Sequence, residues 1–197
     1  MAIETSLKKW NKDLLSDEYI QDSVPQAVIA AGWLGLPPAT EQEIADAELR
    51  LSARLPDSYR EFLRLANGWV YNGSAMNFPG PLRTCDKICW FKDEEADWID
   101  AWMENDPGIP VPDEEYLIYG EDQDSVVLRV EYLEYCLKIS ESSEGGVYLL
   151  NPKIISKSGE WEAWHFSNEL PGATRSRSFG ELIKQQHKLF KYYRDEE

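Results

Sequence analysis

The sequence predicts an α+β fold: one domain with a mostly antiparallel, twisted sheet and helices packed on one face of it. Two observations carry that prediction. Capping boxes followed by helical apolar periodicity occur on both sides of a middle region, and within that region short β-branched and aromatic runs are separated by turn formers. The length of 197 residues is enough for a single core that buries about 70% of the unfolded chain's surface without disulfides.

The elements follow in order. Residues 4–16 place Ile3, Leu7, Trp10, Leu14 and Leu15 on one side of a helix, and 33–38 is a Gly/Pro-punctuated connector. Residues 1–34 therefore read as an N-terminal helical extension. Thr40-x-x-Glu43 is a capping box that starts a helix at Glu41 running toward Arg54. Pro56 suits the first turn of the next helix, in which Tyr59, Phe62, Leu63 and Ala66 share a face before Asn67-Gly68 supplies a left-handed stop. The spacing of Trp98, Ile99, Trp102 and Met103 predicts a further helix, and Tyr116-Leu117-Ile118-Tyr119 reads as a strand. Residues 126–130, 132–139, 147–150 and 161–166 are expected to pair as an antiparallel meander, with turns at Glu144-Gly145-Gly146 and Ser158-Gly159. Ser178-x-x-Glu181 caps a closing helix whose inner side carries Phe179, Leu182, Ile183, Leu189, Phe190 and Tyr193 and whose exposed side carries Lys184, Lys188, Lys191 and Arg194.

Charge is distributed unevenly. The net charge is −16, yet residues 1–92 hold 12 acidic and 10 basic side chains and residues 125–197 hold 11 and 10. The remaining −13 lies in residues 93–124, which contain no Lys or Arg: Asp93, Glu94, Glu95, Asp97, Asp100, Glu104, Asp106, Asp113, Glu114, Glu115, Glu121, Asp122 and Asp124. Disorder would require few aromatic and apolar residues, and this block has several, so it is expected to fold with an acidic outer face. That face is either a solvated, solubilising surface or a docking surface for a basic partner, with Trp98 and Trp102 as anchors or as inward-packed core. The overall balance argues against direct nucleic-acid or anionic-membrane binding.

No apolar run approaches the roughly 20 residues that span a bilayer. The first residues carry no basic start followed by an apolar stretch and no cleavage site, so the expected location is cytoplasmic. Cys85, Cys89 and Cys136 make an odd count suited to reduced thiols. Their spacing, with only two separated histidines, is no zinc pattern, and Cys89 beside Trp90 and Phe91 is expected to fill apolar space. His165 is expected on the strand face opposite Trp164 and Phe166 or in a shallow pocket, in a structural or rim role, and His187 on the polar side of the last helix. Gly120-Glu121-Asp122-Gln123-Asp124 lacks the glycine and closing glutamate of a calcium loop, and no phosphate-binding glycine motif occurs. No cofactor, metal or catalytic residue is expected.

Five pieces of sequence occur in a meaningful order. They are Leu36-Pro37-Pro38-Ala39-Thr40-x-x-x-Ile44-x-x-x-Glu48, Leu55-Pro56-x-x-Tyr59-x-x-Phe62-Leu63-x-x-x-Asn67-Gly68, Gly146-Val147-Tyr148-Leu149-Leu150-Asn151-Pro152, Gly159-Glu160-Trp161-Glu162-Ala163-Trp164, and Pro171-Gly172-Ala173-x-Arg175-x-x-Ser178-Phe179-x-x-Leu182. In these the chain resembles the SUKH superfamily, in particular the Smi/Knr-type domain, over residues 36–183. Residues 35–197 would then form that domain, with an insert-like acidic region at about 83–145. Where the family often has a glycine before the Leu-Pro of the second piece, this chain has Ser52, so its first family helix is expected to end less sharply. The resemblance implies an α+β domain that acts by binding rather than catalysis. Bacterial members look like immunity proteins that bind a cognate polymorphic or contact-delivered toxin, many of them nucleases, and occlude its active site or an essential surface. Eukaryotic members look like regulatory or scaffolding modules. On the immunity reading the partner is a toxin with a basic surface, met by Asp93, Glu94, Glu95, Asp97, Trp98, Asp100, Trp102, Glu104, Glu121, Asp122 and Asp124.

Overall fold

The computed structural model describes residues 2–74, 76–167 and 172–196. Helix α1 (Ala2–Leu14) buries Ile3, Leu7, Trp10 and Leu14, whose spacing of four, three and four keeps them on one side. Two single-turn helices, α2 (Ile20–Ser23) and α3 (Gln26–Ala31), lead from it to α4 (Glu41–Leu51). The predicted capping box is formed in full, with Glu43 N donating to Thr40 Oγ1 at 3.2 Å and Thr40 N donating to Glu43 Oε2 at 2.7 Å. Helix α4 stops at Leu51, short of Arg54, because Ser52 itself takes the left-handed conformation at φ 53° and its N–H closes onto Glu48 and Leu49 carbonyls. The serine therefore ends the helix as sharply as a glycine would. Helix α5 (Asp57–Leu65) follows Pro56, and its stop differs from the expected one: Ala66 turns extended at φ −156°, and the positive φ falls two residues later at Gly68.

Among the described residues there are five strands: β1 (Cys89–Trp90), β2 (Leu137–Lys138), β3 (Val147–Ile155), β4 (Trp161–Ser167) and β5 (Gly172–Ser176). They form one antiparallel sheet in the order β1-β2-β3-β4-β5, the expected meander. Between β1 and β2 lie α6 (Phe91–Glu94), α7 (Ala96–Asn105), α8 (Asp113–Tyr116) and 3-10 segments at Gly120–Asp122 and Val130–Tyr135. Helix α9 (Phe179–Glu196) closes the domain. Its Ser178 Oγ accepts from Glu181 N as predicted, while the Glu181 carboxylate bonds Arg177 N, one residue before the cap. Pro171, part of the last family-like piece, lies outside the described residues.

Three strand predictions are corrected. Residues 126–130 are turn and irregular chain, and 132–139 form a strand only at Leu137–Lys138. The reason is period: Val130, Leu133 and Cys136 are buried every third residue, which is the face of a 3-10 turn and would be split across both sides of a strand. Tyr116 and Tyr119 are also three apart, and both hydroxyls reach Glu162 at 2.8 Å, which a strand could not arrange. Strands β1 and β5 were not anticipated.

Helices cover both faces of the sheet rather than the one face expected, because the middle region folds into α6, α7 and α8 against the second face. On one, Tyr148, Leu150 and Ala163 pack with α1, α4, α5 and α9 around Trp10, Tyr59, Phe62, Trp69 and Phe179. On the other, Val147, Leu149, Trp164, Phe166 and Ala173 meet Phe91, Ile99, Tyr116 and Leu133 from residues 91–136. The acidic region is thus a roof over the second face, and every residue of β4 is buried. The free edge of β5 is also closed. Gln123 Oε1 accepts from Arg175 N at 2.6 Å and Gln123 Nε2 donates to Arg175 O at 2.9 Å, while Ala173 N donates to Ser125 O at 3.1 Å. Gly172, at φ 154°, permits this approach, since a Cβ there would stand 2.0 Å from Ser125 O.

Candidate interaction surface

The roof is built by amphipathic placement. Along α7, Asp97, Asp100 and Glu104 recur at three and four residues and are exposed, and on the far side Ile99 is buried while Trp98 and Trp102 are half-buried. Both indoles rest on the sheet: each ring lies 5.1 Å from Phe166, and Trp98 is 5.6 Å from Phe91. The tryptophans pack inward, so they act first as the hydrophobic underside of the roof and present only their outer parts to solvent.

The carboxylates divide into two sets. Glu94 and Glu95 are tied inward to Arg83 and Lys138, whose side chains are 7% and 3% exposed. Arg83 Nη2 donates to Glu94 Oε2 at 2.7 Å, Lys138 Nζ donates to the same oxygen at 3.1 Å and to Glu95, and Ser142 Oγ donates to Glu95 at 2.7 Å. The Arg83 hydrogen bond holds the Glu94 carboxyl down at about 2. Burial works against charge on Glu95, but Lys138 and Ser142 outweigh it and its pKa is also lowered. Glu121 pairs with Lys188 at 3.0 Å and Asp113 with Arg129 at 2.6 Å. Asp93, Asp97, Asp100, Glu104, Asp122 and Asp124 are exposed and have no ion-pair partner among the described residues. Exposed apolar side chains sit among them, including Met103, Ile109 and Val126.

Beneath the roof lies a buried charge pair that sequence reasoning missed. Glu162 and Arg175 are both fully enclosed. Glu162 Oε2 accepts from Tyr116 OH at 2.8 Å, Asn151 Nδ2 at 2.9 Å and Trp164 Nε1 at 2.7 Å, and Oε1 accepts from Tyr119 OH and, at 3.5 Å, from Arg175 Nη1. Arg175 also donates to the Tyr116 carbonyl and lies 4.1 Å from the centre of that ring. Burial, then the adjacent Glu162 charge, push both tyrosine hydroxyls' pKa values upward. The only sequence signal was position: Glu162 and Arg175 fall inside otherwise apolar, family-like segments.

The remaining titratable groups offer little chemistry. His165 is buried on the face opposite Trp164 and Phe166, as expected, with Nε2 2.7 Å from Gly145 O, and burial drops its pKa to about 4. It lines a cavity of about 380 Å³ with Thr174, Gln185, Gln186 and Tyr192 between the sheet and α9. His187 is half-buried and paired with Asp13 at 2.6 Å, which ties α9 to α1. Cys89 does not fill apolar space: Arg83 Nη1 lies 3.4 Å from its sulfur, and burial together with Glu94 raises its pKa to about 11, so it is a poor nucleophile. Cys85 and Cys136 are buried and free. Among the described residues no group of three or more His, Cys, Asp or Glu could hold a metal ion, and no helix is long and apolar enough to cross a membrane.

The model of the SMI1 / KNR4 family (SUKH-1) matches residues 38–185. The chain belongs to this family. The match runs from the residue pair before the α4 capping box into α9, so it spans the whole sheet and the acidic roof of this SUKH-1 domain, while α1, α2 and α3 lie outside it. No curated protein matches the chain.

Proposed function

We propose that this SUKH-1 protein is an immunity protein that binds and neutralises a cognate polymorphic or contact-delivered bacterial toxin, without catalysis or cofactor, in the cytoplasm. Its docking surface is the acidic roof, and residues 1–34 are an extension that buttresses the family domain. The observation that carries the reading is the row of exposed, unpaired carboxylates, Asp93, Asp97, Asp100 and Glu104, on a roof held rigid from below by Trp98, Trp102 and Phe166. A rigid acidic face meets a basic groove, such as the substrate groove of a nuclease, with little ordering cost, and its field speeds encounter. Family membership supports a binding role.

The test is capture from the native host at low and high salt, followed by mass spectrometry. Recovery of one basic, toxin-like polypeptide that is lost at high salt is the expected result. Reversal of Asp93, Asp97, Asp100 and Glu104 to lysine should slow association at least tenfold and flatten its salt dependence, and unchanged kinetics would move the interface elsewhere. Glu94 and Glu95 are unsuited to this test, because reversing them would strand the buried Lys138 and leave Arg83 with Glu141 alone. Recovery of several housekeeping proteins instead would favour the regulatory role that the family's eukaryotic members suggest.

A further inference from the structure

The −16 chain carries a local patch of the opposite sign. Lys184, Lys188 and Lys191 recur at four and three residues along the outer side of α9, and Lys9 of α1 joins them around a shallow groove of about 480 Å³ that also takes in His187, Tyr192 and Asp195. Lys9, Lys184 and Lys191 have no ion-pair partner among the described residues. Asp195 is turned to Arg194 at 3.0 Å, and His187 to Asp13.

The position of this groove matters as much as its charge. Helix α9 packs through Leu182, Ile183 and Phe190 on the sheet face that carries Tyr148 and Ala163, whereas α7 packs through Ile99 on the face that carries Trp164 and Phe166. Within the chain the two regions meet only where Lys188 pairs with Glu121 at 3.0 Å; Lys9, Lys184 and Lys191 on one side and the row Asp93, Asp97, Asp100 and Glu104 on the other lie over opposite faces of the sheet and form no ion pair with each other among the described residues. Between two molecules such pairs can form. We propose that the lysine groove of α1 and α9 receives the acidic roof of a second copy of this chain, giving a head-to-tail association.

Such a contact is heterologous, so it leaves one acidic roof and one lysine groove free at its ends and extends with concentration. It also has a particular salt dependence. At about 0.01 M salt the screening length is roughly 30 Å, and two molecules of charge −16 repel as wholes; at about 0.1 M it is roughly 10 Å, and only the facing patches interact; at about 1 M it is roughly 3 Å, and both effects vanish. Association should therefore peak at intermediate salt. A basic partner that covers the roof would displace the second copy, so this inference rests on the roof being a protein-docking face, as proposed above, but adds a separate site.

The test is the weight-average mass of the full chain by sedimentation equilibrium at high micromolar concentration across that salt series. The expected result is a mass that rises above 22.7 kDa with concentration near 0.1 M and returns to 22.7 kDa near 1 M. Two variants confined to exposed positions, Lys184→Glu/Lys191→Glu and Asp97→Lys/Asp100→Lys, should each remain monomeric alone. Mixed in equal amounts they should form a complex of about twice the chain mass that grows no further, because one supplies only a roof and the other only a groove. A wild-type mass of 22.7 kDa at every salt concentration, or a mixture that stays monomeric, overturns the proposal. The lysine variant keeps its acidic roof and should still capture the cognate toxin. Loss of self-association with capture intact separates the two readings, as does the reverse outcome.

Discussion

At the scale of single residues, the largest commitments are the enclosed charges. Glu162 gathers hydrogen bonds from β3, β4 and both tyrosines flanking Leu117-Ile118, so one carboxylate fixes where the roof meets the sheet. Removing it leaves Arg175 charged, buried and without its counter-ion, a change that costs about 3–5 kcal/mol. Glu162→Ala should lower the unfolding free energy by that amount in urea titrations, and Glu162→Leu combined with Arg175→Met should cost much less than the two single changes together. His165 sets a pH limit. Its pKa is about 4 when folded against 6.5 for the free side chain, so the unfolded chain takes up the proton first as pH falls. Stability from this group is complete above pH 6.5 and declines toward pH 4 by up to about 3 kcal/mol. His165→Gln should flatten the stability profile across that window, whereas Glu94, held down by Arg83, governs a separate loss between pH 4.5 and about 2.

At the scale of elements, α1 is integral to the larger core even though it precedes the family match. Leu7, Trp10 and Leu14 are completely buried, and Trp10 stacks on Trp69 with ring centres 6.1 Å apart. Burial of three such side chains is worth about 5–9 kcal/mol, comparable with the entire stability of an ordinary domain. A chain lacking residues 1–34 should therefore lose its near-ultraviolet circular dichroism and cooperative melting, and retention of both would show the family domain to be self-sufficient. Which elements the sequence revealed depends on how locally they are determined. The capping box at Thr40 and the Ser178 hydroxyl cap involve neighbours three residues apart, and α7 and α9 carry their whole apolar face in one run, so these were legible, while the reciprocal half of the Ser178 box shifted to Arg177 N. Strands β1 and β2 have two residues each and exist only because β3 and the roof position them. Strand β5 was hidden by Arg175, a charge in an inward-facing position whose compensation comes from distant Glu162 and Tyr116.

At the scale of the whole molecule, the acidic block was legible as charge but not as architecture. Its sign and extent could be counted, whereas the division between carboxylates spent on Arg83, Lys138 and Arg129 and those left facing water needed the three-dimensional pairing. The same holds for the lysine groove: three of its residues were visible as one side of α9, and Lys9 joins them only through the packing of α1 on α9. The resulting separation, a row of free carboxylates over one sheet face and a local lysine patch of α1 and α9 over the other, gives the molecule a direction that its net charge conceals. Substitutions at either pole should alter encounter with charged partners while leaving the core intact.

The clasp of Gln123 and Ser125 along β5 has a further consequence. Together with a two-residue strand at the opposite margin, it leaves little open backbone along the two outermost strands, among the described residues, for an incoming polypeptide to zip onto. A polypeptide docking at these margins is therefore met by side chains rather than by backbone, so the same sheet can be kept while the charge and shape of the roof above it are rewritten.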